Sequence, residues 1–471
     1  MSYFDNIEFE DDTHEENEDK EALINALLKG ENHPPELELE TIDELINYLL
    51  EKDQHQKALE YIDSLLEYFP YSNEIWQRKA IIYDNEGDYR RAIECFDKAI
   101  TLNPFDEEVI ISKGITLDNS GNHEAAIKCF DEAISIDANN IEALFNKGLI
   151  LEKIDNFEEA KTIFEKIISL EPSHKDSYYE LGYCYDFLDR LKNAVEAYDK
   201  HIELAPYNYN AWYNRGVVLS RMGRYYKAIE SYEMALTINS KFGSAWYNKG
   251  NAYASLGIIT RAIRCYKHAI SLNKKDTYAL YNLASAYEQI GCCREAIESF
   301  TKVVQIDPSH YESYFGRGNC YYQLEEYRKA LKDYNSALKL FGDNSELWYA
   351  KADAEYNLGE IAESISSYLK VVEIDPSNFE AMLDLSNTLI ENEEYEKANH
   401  HLKNLLRIKP DWCEPYYSMA KVCFLKGEIE VGLAMIERAF DLSPKDRFYY
   451  DFEHDWRKIL NFLITRKNQN I

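Results

Sequence analysis

Glycine and proline are scarce in this chain, with 18 and 11 among 471 residues. Such a low content excludes collagen-like and low-complexity proteins, and the 45% hydrophobic content is typical of a folded chain. Basic residues are also few, because 52 Lys and Arg stand against 84 Asp and Glu, for a net charge of −32. Nucleic acids and anionic membranes are bound by clustered Lys and Arg, so neither is an expected partner.

Long hydrophobic runs are missing as well. No stretch approaches eighteen consecutive apolar residues, so no membrane-inserted helix is predicted. The opening MSYFDNIEFEDD is acidic where a secretion signal would be basic and then apolar. The nine cysteines show no CxxC pair, and Cys95, Cys129 and Cys265 recur beside aromatic residues. This pattern favours buried thiols in a reducing compartment over disulfides, and we expect a cytoplasmic protein.

Catalytic motifs are not found either. The chain has no GxxxxGK phosphate loop, no HExxH metal helix and no GxSxG nucleophile elbow. His400 and His401 are adjacent, so on a helix their side chains diverge and make a poor metal pair. We therefore expect a binding protein, with no enzyme activity, no metal and no cofactor.

What the sequence does contain is a strict period. Eight prolines, at 70, 104, 172, 206, 308, 376, 410 and 444, are separated by 34 residues or a multiple of 34. If Leu39 is place 1 of a 34-residue repeat, twelve repeats run without insertion to Asp446. In this frame alanine fills place 20 in ten repeats, glycine fills place 8 in six, and glycine fills place 15 in seven.

Each recurring residue has a structural role in the helix pair. Apolar residues recur every three or four positions in two runs per repeat, which predicts two amphipathic helices. The place 15 glycine allows the turn between them, and the small residues at places 8 and 20 let the helices approach closely. The place 32 proline ends the second helix. Local departures from the pattern are Ile46 at place 8, Ser364 and Gly432 at place 20, and Leu402 and Leu405 in repeat eleven.

The period, the small residues and the proline together closely resemble the tetratricopeptide repeat (TPR) family over residues 39–446. The resemblance implies an all-α, right-handed superhelical solenoid of about twelve helix-turn-helix repeats whose first helices line a concave groove. Solenoids need capped ends. We expect a C-terminal capping helix and tail at 447–471. The acidic segment 1–38 is expected to be largely disordered, with a short helix at 21–29 as an option.

The resemblance also implies which side chains face the groove, namely those at places 2, 5, 6, 9, 12 and 13. Place 5 is mostly aromatic, and asparagine recurs at places 6 and 9 although it is a mediocre helix former. The candidate peptide-binding residues are Phe145, Asn146, Tyr179, Tyr213, Asn214, Tyr247, Asn248, Asn251, Tyr281, Asn282, Phe315, Asn319 and Tyr349.

An asparagine amide can both donate to and accept from one peptide group. The arrangement resembles the asparagine ladder in the TPR superhelix of O-linked N-acetylglucosamine transferase, from which only the binding mode is carried over. It predicts a scaffold that holds an extended segment of a protein partner. Two alternatives stay open: the rings could pack against neighbouring first helices, and the asparagines could bond to the next repeat and set its register. The whole chain could instead be an assembly subunit that self-associates or docks through its convex face or ends.

Acidic residues bear on the partner's charge. Place 2 is acidic in nine repeats, and place 12 carries Asp84, Asp118, Glu152 and Asp186 in repeats two to five. The family's clamp for C-terminal carboxylates needs Lys at places 2 and 5, where this chain has acids and aromatics. A neutral or basic segment is therefore the expected partner.

Overall fold

In a computed structural model of the chain, residues 24, 39–52 and 54–443 are described, and this part of the chain forms 24 α-helices and no strand. The helices are α1 (Leu39–Glu51), α2 (His55–Tyr68), α3 (Asn73–Asn85), α4 (Tyr89–Leu102), α5 (Glu107–Asn119), α6 (His123–Ile136), α7 (Ile141–Lys153), α8 (Phe157–Leu170), α9 (Lys175–Phe187), α10 (Leu191–Leu204), α11 (Tyr209–Arg221), α12 (Tyr225–Ile238), α13 (Gly243–Ser255), α14 (Ile259–Leu272), α15 (Thr277–Gln289), α16 (Cys293–Ile306), α17 (Tyr311–Gln323), α18 (Tyr327–Leu340), α19 (Ser345–Asn357), α20 (Ile361–Ile374), α21 (Phe379–Glu391), α22 (Tyr395–Ile408), α23 (Glu414–Leu425) and α24 (Ile429–Leu442). The predicted all-α fold of twelve helix pairs is confirmed.

The chain divides into two compact units, 1–240 and 241–471. The first unit contains α1 to α12 and the second contains α13 to α24, so each is a stack of six helix pairs. Inside a unit each helix packs against the next one in sequence. First helices of successive repeats also touch, as α5 touches α7 and α15 touches α17. This contact places the candidate residues of neighbouring repeats side by side.

The place 15 turn requires a left-handed backbone in every repeat from two to twelve. Seven of these positions are glycines, with φ between 71° and 82°. In the other four the same conformation is adopted by Asp155, Asp189, Glu325 and Glu393, with φ between 56° and 61°. The turn geometry is therefore a property of the repeat, and the residue type follows it only in part.

The place 8 glycines make room for the ring at place 24. A Cβ added at Gly216 would lie 2.6 Å from the Tyr232 ring, and one at Gly148 would lie 2.6 Å from Phe164. Repeat eight has alanine at place 8, and its Phe300 ring contacts Gly316 of the next repeat, where an added Cβ would lie 2.4 Å away. The predicted close approach of the paired helices is confirmed.

The local departures from the pattern are also accommodated. Ile46, Leu402 and Leu405 are buried in the core. The Ser364 hydroxyl donates to the carbonyl oxygen of Ala352 at 2.9 Å, so this buried polar group is satisfied. Gly432 lies against the Phe424 ring, where an added Cβ would be 2.7 Å from a ring atom.

A further regularity joins repeats in the first unit. A cation at place 7 pairs with an acid sixteen residues earlier, at place 25 of the preceding repeat. The pairs are Lys79 with Asp63, Lys113 with Asp97 (2.6 Å), Lys147 with Asp131 (2.7 Å) and Arg215 with Asp199 (2.5 Å). These pairs tie the first helices of repeats two, three, four and six to the second helix before them.

The nine cysteines are free thiols, and all but Cys292 are buried. The predicted capping helix at 447–471 lies outside the described residues. So does the acidic segment 1–38, apart from Ile24, which is helical and buried.

Candidate functional site

The thirteen candidate residues all lie on first helices and all are half-buried. We call those of the first unit the first stripe: Phe145, Asn146, Tyr179, Tyr213 and Asn214. Those of the second unit form the second stripe: Tyr247, Asn248, Asn251, Tyr281, Asn282, Phe315, Asn319 and Tyr349. Each stripe runs across consecutive first helices.

The place 5 rings pack on the place 24 rings of their own repeats. The centroids of Phe145 and Phe164 are 5.8 Å apart, and the seven stripe rings that make this contact lie 5.7–6.1 Å from their partners. Such separations are typical of edge-to-face and tilted aromatic pairs. The open alternative was packing against neighbouring first helices. All seven rings contact the second helix of their own repeat, and Phe145 and Tyr281 also contact His174 and His310, the N-caps of the next first helices, at 5.2 and 4.9 Å.

The tyrosine hydroxyls reach the next repeat. The Asn214 amide nitrogen donates to the Tyr179 hydroxyl at 2.9 Å, and that of Asn282 donates to the Tyr247 hydroxyl at 3.1 Å. In each case place 5 of one repeat is linked to place 6 of the next. These two asparagines therefore contribute to register between repeats, as the second alternative proposed. Because the hydroxyls of Tyr179 and Tyr247 accept, each retains its own O–H as a donor.

The place 9 asparagines satisfy buried tyrosines. The Tyr266 hydroxyl donates to Asn251 Oδ1 at 2.8 Å, and the Tyr334 hydroxyl donates to Asn319 Oδ1 at 2.9 Å. Burial raises the pKa of both phenols, which keeps them protonated as donors. Sequence reasoning missed this pairing, although Tyr at place 24 with Asn or Asp fifteen residues earlier is a readable signal.

Asn146 is bonded differently from Asn214 and Asn282. Its amide nitrogen donates to the carbonyl oxygen of Glu142, one turn earlier on the same helix, at 2.9 Å. No hydrogen bond in the described residues links the Asn146 side chain to a neighbouring repeat. Its role in register is therefore smaller than that of Asn214.

Beside the first stripe, the place 12 acid Glu152 lies next to Glu180, which the sequence did not single out. Glu180 occupies place 6 of repeat five and shares a hydrogen bond with Glu152, which also accepts from the Cys184 thiol at 3.0 Å. Burial, together with the charge of Glu152, raises the pKa of Glu180 to about 8. Burial raises the pKa of Glu152 to about 7, against the lowering effect of these hydrogen bonds.

The described residues contain neither a metal cluster nor a membrane span. Within the described ranges no three His, Cys, Asp or Glu side chains are grouped so that they could hold a metal ion. The rings of His400 and His401 are 5.7 Å apart and nearly perpendicular. None of the helices in 39–52 and 54–443 combines the length and apolar character that crossing a membrane requires.

Comparison with known proteins identifies the class. Models described as tetratricopeptide repeat or TPR repeat match residues 74–106, 119–155, 141–174, 175–208, 209–242, 243–276, 277–310, 315–379 and 367–398. No curated protein sequence matches this one. The chain is thus a protein-interaction scaffold built of helical repeats. It belongs to the tetratricopeptide repeat family, whose members bind protein partners and are generally non-catalytic.

Solved structures of shorter proteins resemble parts of the chain. The protein MamA is 28% identical over 34% of this chain and 95% of its own, with a TM-score of 0.34. YrrB, described as a TPR protein with an unusual peptide-binding site, is 26% identical over 40% of this chain and 97% of its own, with a TM-score of 0.37. PilF of Pseudomonas aeruginosa is 20% identical over 44% of this chain and 94% of its own, with a TM-score of 0.38.

Proposed function

We propose that the chain holds an extended segment of a protein partner along the stripes of its first helices. The observation that carries the proposal is, within each unit, the row of half-buried amides and phenols on contacting first helices. The row still offers groups for a ligand. The O–H groups of Tyr179 and Tyr247 remain as donors, and among described residues Asn214 Oδ1 accepts no hydrogen bond.

The acids beside the first stripe support a neutral or basic segment. Asp118 and Asp186 at place 12 are neutralised by Lys153 and Arg221 of the following repeats. Glu152 has no such partner among the described residues, and burial disfavours its charged form. A partner cation would relieve that cost, whereas a partner carboxylate would increase it.

Asn146 allows a test that leaves the inter-repeat bonds intact. A peptide that binds the full chain is selected from a random peptide library, and its Kd is measured by calorimetry. Asn146→Ala is expected to raise the Kd about fivefold, the equivalent of one net hydrogen bond of about 1 kcal/mol. Asn193→Ala, on the exposed face of the second helix α10, is the matched control and should leave the Kd unchanged.

Asn214→Ala separates binding from register. It removes the bond to Tyr179, so both affinity and the unfolding temperature should fall. If Asn146→Ala binds the peptide as tightly as the unmodified chain, while Asn214→Ala loses only stability, the amides set register alone and the proposal is wrong.

Self-association is the second candidate, and exposed rings favour it. Tyr71, Phe105 and Tyr207 follow the place 32 prolines of repeats one, two and five and are 83%, 78% and 83% exposed. Large exposed aromatics are common in protein interfaces. Light scattering of the partner-free chain distinguishes the two: a monomer favours the peptide-holding scaffold, and a concentration-dependent oligomer favours assembly.

A further inference from the structure

A cavity of about 350 Å³ lies on the second stripe, between repeats seven and eight. Asn251 and Asn282 of the stripe line it, together with Ala254, Ser255 and Gln289 at places 12 and 13. The space exists because repeat seven has small residues there. Repeats nine and ten carry tyrosine at place 12, as Tyr322 and Tyr356, and repeat six carries Arg221 at place 13.

Asn251 and Asn282 use only half of the hydrogen-bonding capacity of their side-chain amides. Both Nδ2 protons of Asn282 are donated, to the Tyr247 hydroxyl at 3.1 Å and to Asn251 Oδ1 at 2.9 Å. Asn251 Oδ1 accepts a second bond from the Tyr266 hydroxyl at 2.8 Å. Among the described residues, neither Asn282 Oδ1 nor Asn251 Nδ2 makes a direct hydrogen bond. One acceptor and one donor on neighbouring helices are left for a ligand.

The cavity is also neutral. None of the described residues that line it is acidic or basic, in a chain whose net charge is −32. A charged ligand group would lose hydration there without gaining a counter-ion. A purely apolar group would leave the Asn251 donor and the Asn282 acceptor without partners. A carboxamide is uncharged and supplies one acceptor and one donor in a single plane.

We propose that this cavity binds the carboxamide side chain of a glutamine or asparagine in the partner's extended segment. The proposal rests on the proposed function and deepens it, since it names a side chain that the scaffold selects. The backbone of the segment would be held by the stripe, and the carboxamide would donate to Asn282 Oδ1 and accept from Asn251 Nδ2.

The test uses the full chain and a set of short peptides. They are blocked at both ends and identical except for a central Gln, Glu, Lys or Leu between glycine and serine residues. Binding is measured by saturation-transfer NMR with competition. The Gln peptide is expected to bind about tenfold tighter than the near-isosteric Glu peptide, the equivalent of about 1.4 kcal/mol.

Two variants close the cavity with residues that other repeats already carry. Ala254→Tyr installs the place 12 residue of repeats nine and ten, and Ser255→Arg installs the place 13 residue of repeat six. Each is checked for an unchanged helical spectrum, and either one that folds decides the question. The preference for Gln should disappear, while the weaker binding common to all peptides remains. Ser271→Tyr, on an exposed turn of α14 in the same repeat, is the control and should retain the preference.

The outcomes separate this inference from the broader one. Equal binding of the Gln, Glu, Lys and Leu peptides, or a preference that persists in the cavity-closing variants, overturns the carboxamide site and leaves the scaffold role standing. If no peptide binds the unmodified chain, both proposals are wrong.

Discussion

At the scale of single residues, the turn between paired helices has the same left-handed backbone whether or not its residue is glycine. Glu325 and Glu393 adopt φ values of 59° and 61°, where most repeats have glycine. A side chain in this conformation costs roughly 1–2 kcal/mol, because Cβ crowds the following carbonyl oxygen. The surrounding helix pairs impose the turn all the same.

Glu325→Gly is therefore expected to stabilise the protein. Relief of the crowding exceeds the extra entropy that glycine loses on folding, roughly 0.5–1 kcal/mol, so a net gain of about 0.5–1 kcal/mol follows. The measurement is the urea midpoint by circular dichroism. The matched control is Lys332→Gly, at an exposed position inside α18, which should destabilise by about 1 kcal/mol. A lower midpoint for Glu325→Gly would contradict the account.

The asparagines show where sequence reasoning stops at this scale. Their recurrence on first helices could be read from the sequence, which left two roles open: ligand binding, and register between repeats. Asn146 and Asn214 make different hydrogen bonds although both occupy place 6. The repeat before Asn214 has a tyrosine at place 5, Tyr179, whose hydroxyl accepts from the Asn214 amide. Repeat three has isoleucine at place 5, so Asn146 turns to its own helix. Reading pairs of places together, across repeats, would have found this difference.

At the scale of helices, packing depends on the contact between an aromatic ring at place 24 and a glycine. When place 8 of the same repeat is not glycine, the ring can contact a glycine of the next repeat instead. Phe300 has alanine at place 8 of its own repeat and contacts Gly316 at place 6 of the next. This pairing also explains why repeat nine has no asparagine at place 6, since any Cβ there would meet the ring at 2.4 Å. The interruption of the asparagine series is thus a packing requirement.

Helix α17 is further joined to α18 by a buried ion pair. Arg317 donates through Nε and Nη2 to the two carboxylate oxygens of Asp333 at 2.6 and 2.7 Å, and Asp333 is 4% exposed. Removing the cation leaves a buried carboxylate without a partner. Arg317→Ala should therefore cost roughly 3 kcal/mol of stability, measured as a loss in the urea midpoint.

A double variant tests the cause of that loss. Arg317→Ala with Asp333→Ala removes the unpaired charge, so part of the stability should return. Lys370→Ala, which breaks an exposed pair with Glu373, is the control and should leave the midpoint unchanged. A double variant no more stable than Arg317→Ala would show that lost packing, rather than the isolated carboxylate, destabilises the helix pair.

At the scale of the whole molecule, the 34-residue period was enough to predict the fold. Small residues, turn glycines and prolines recur together, and each constrains the same helix pair. The period could not predict which carboxylates become buried, because that depends on neighbouring repeats packing over them. Glu180 reads as one more surface acid in a chain with 84, yet its pKa is raised to about 8.

Such carboxyls make stability depend on pH in a direction opposite to the usual one. Glu152, Glu180 and Asp353 have folded pKa values of about 7, 8 and 6, above their ordinary values, with burial as the main cause. Between pH 4.5 and 8 the unfolded chain ionises these groups while the folded chain keeps protons on them. Stability should therefore fall as pH rises through this window, and level off above it.

The expected loss between pH 5.5 and 8 is on the order of 2 kcal/mol, after discounting for the partial solvent access of Glu152 and Glu180. His401 acts in the opposite direction, because burial lowers its pKa and favours the folded state as pH rises. It is one group against these three carboxyls and four more whose pKa burial also raises: Asp186, Glu288, Glu355 and Asp384. Urea unfolding at both pH values measures the slope. Glu180→Gln keeps the shape and removes the charge, so it should stabilise the protein at pH 8 and flatten the profile. Stability that instead rises from pH 5.5 to 8 would mean that Glu152 and Glu180 are ionised together in the folded protein, and that the cluster beside the first stripe is open to water.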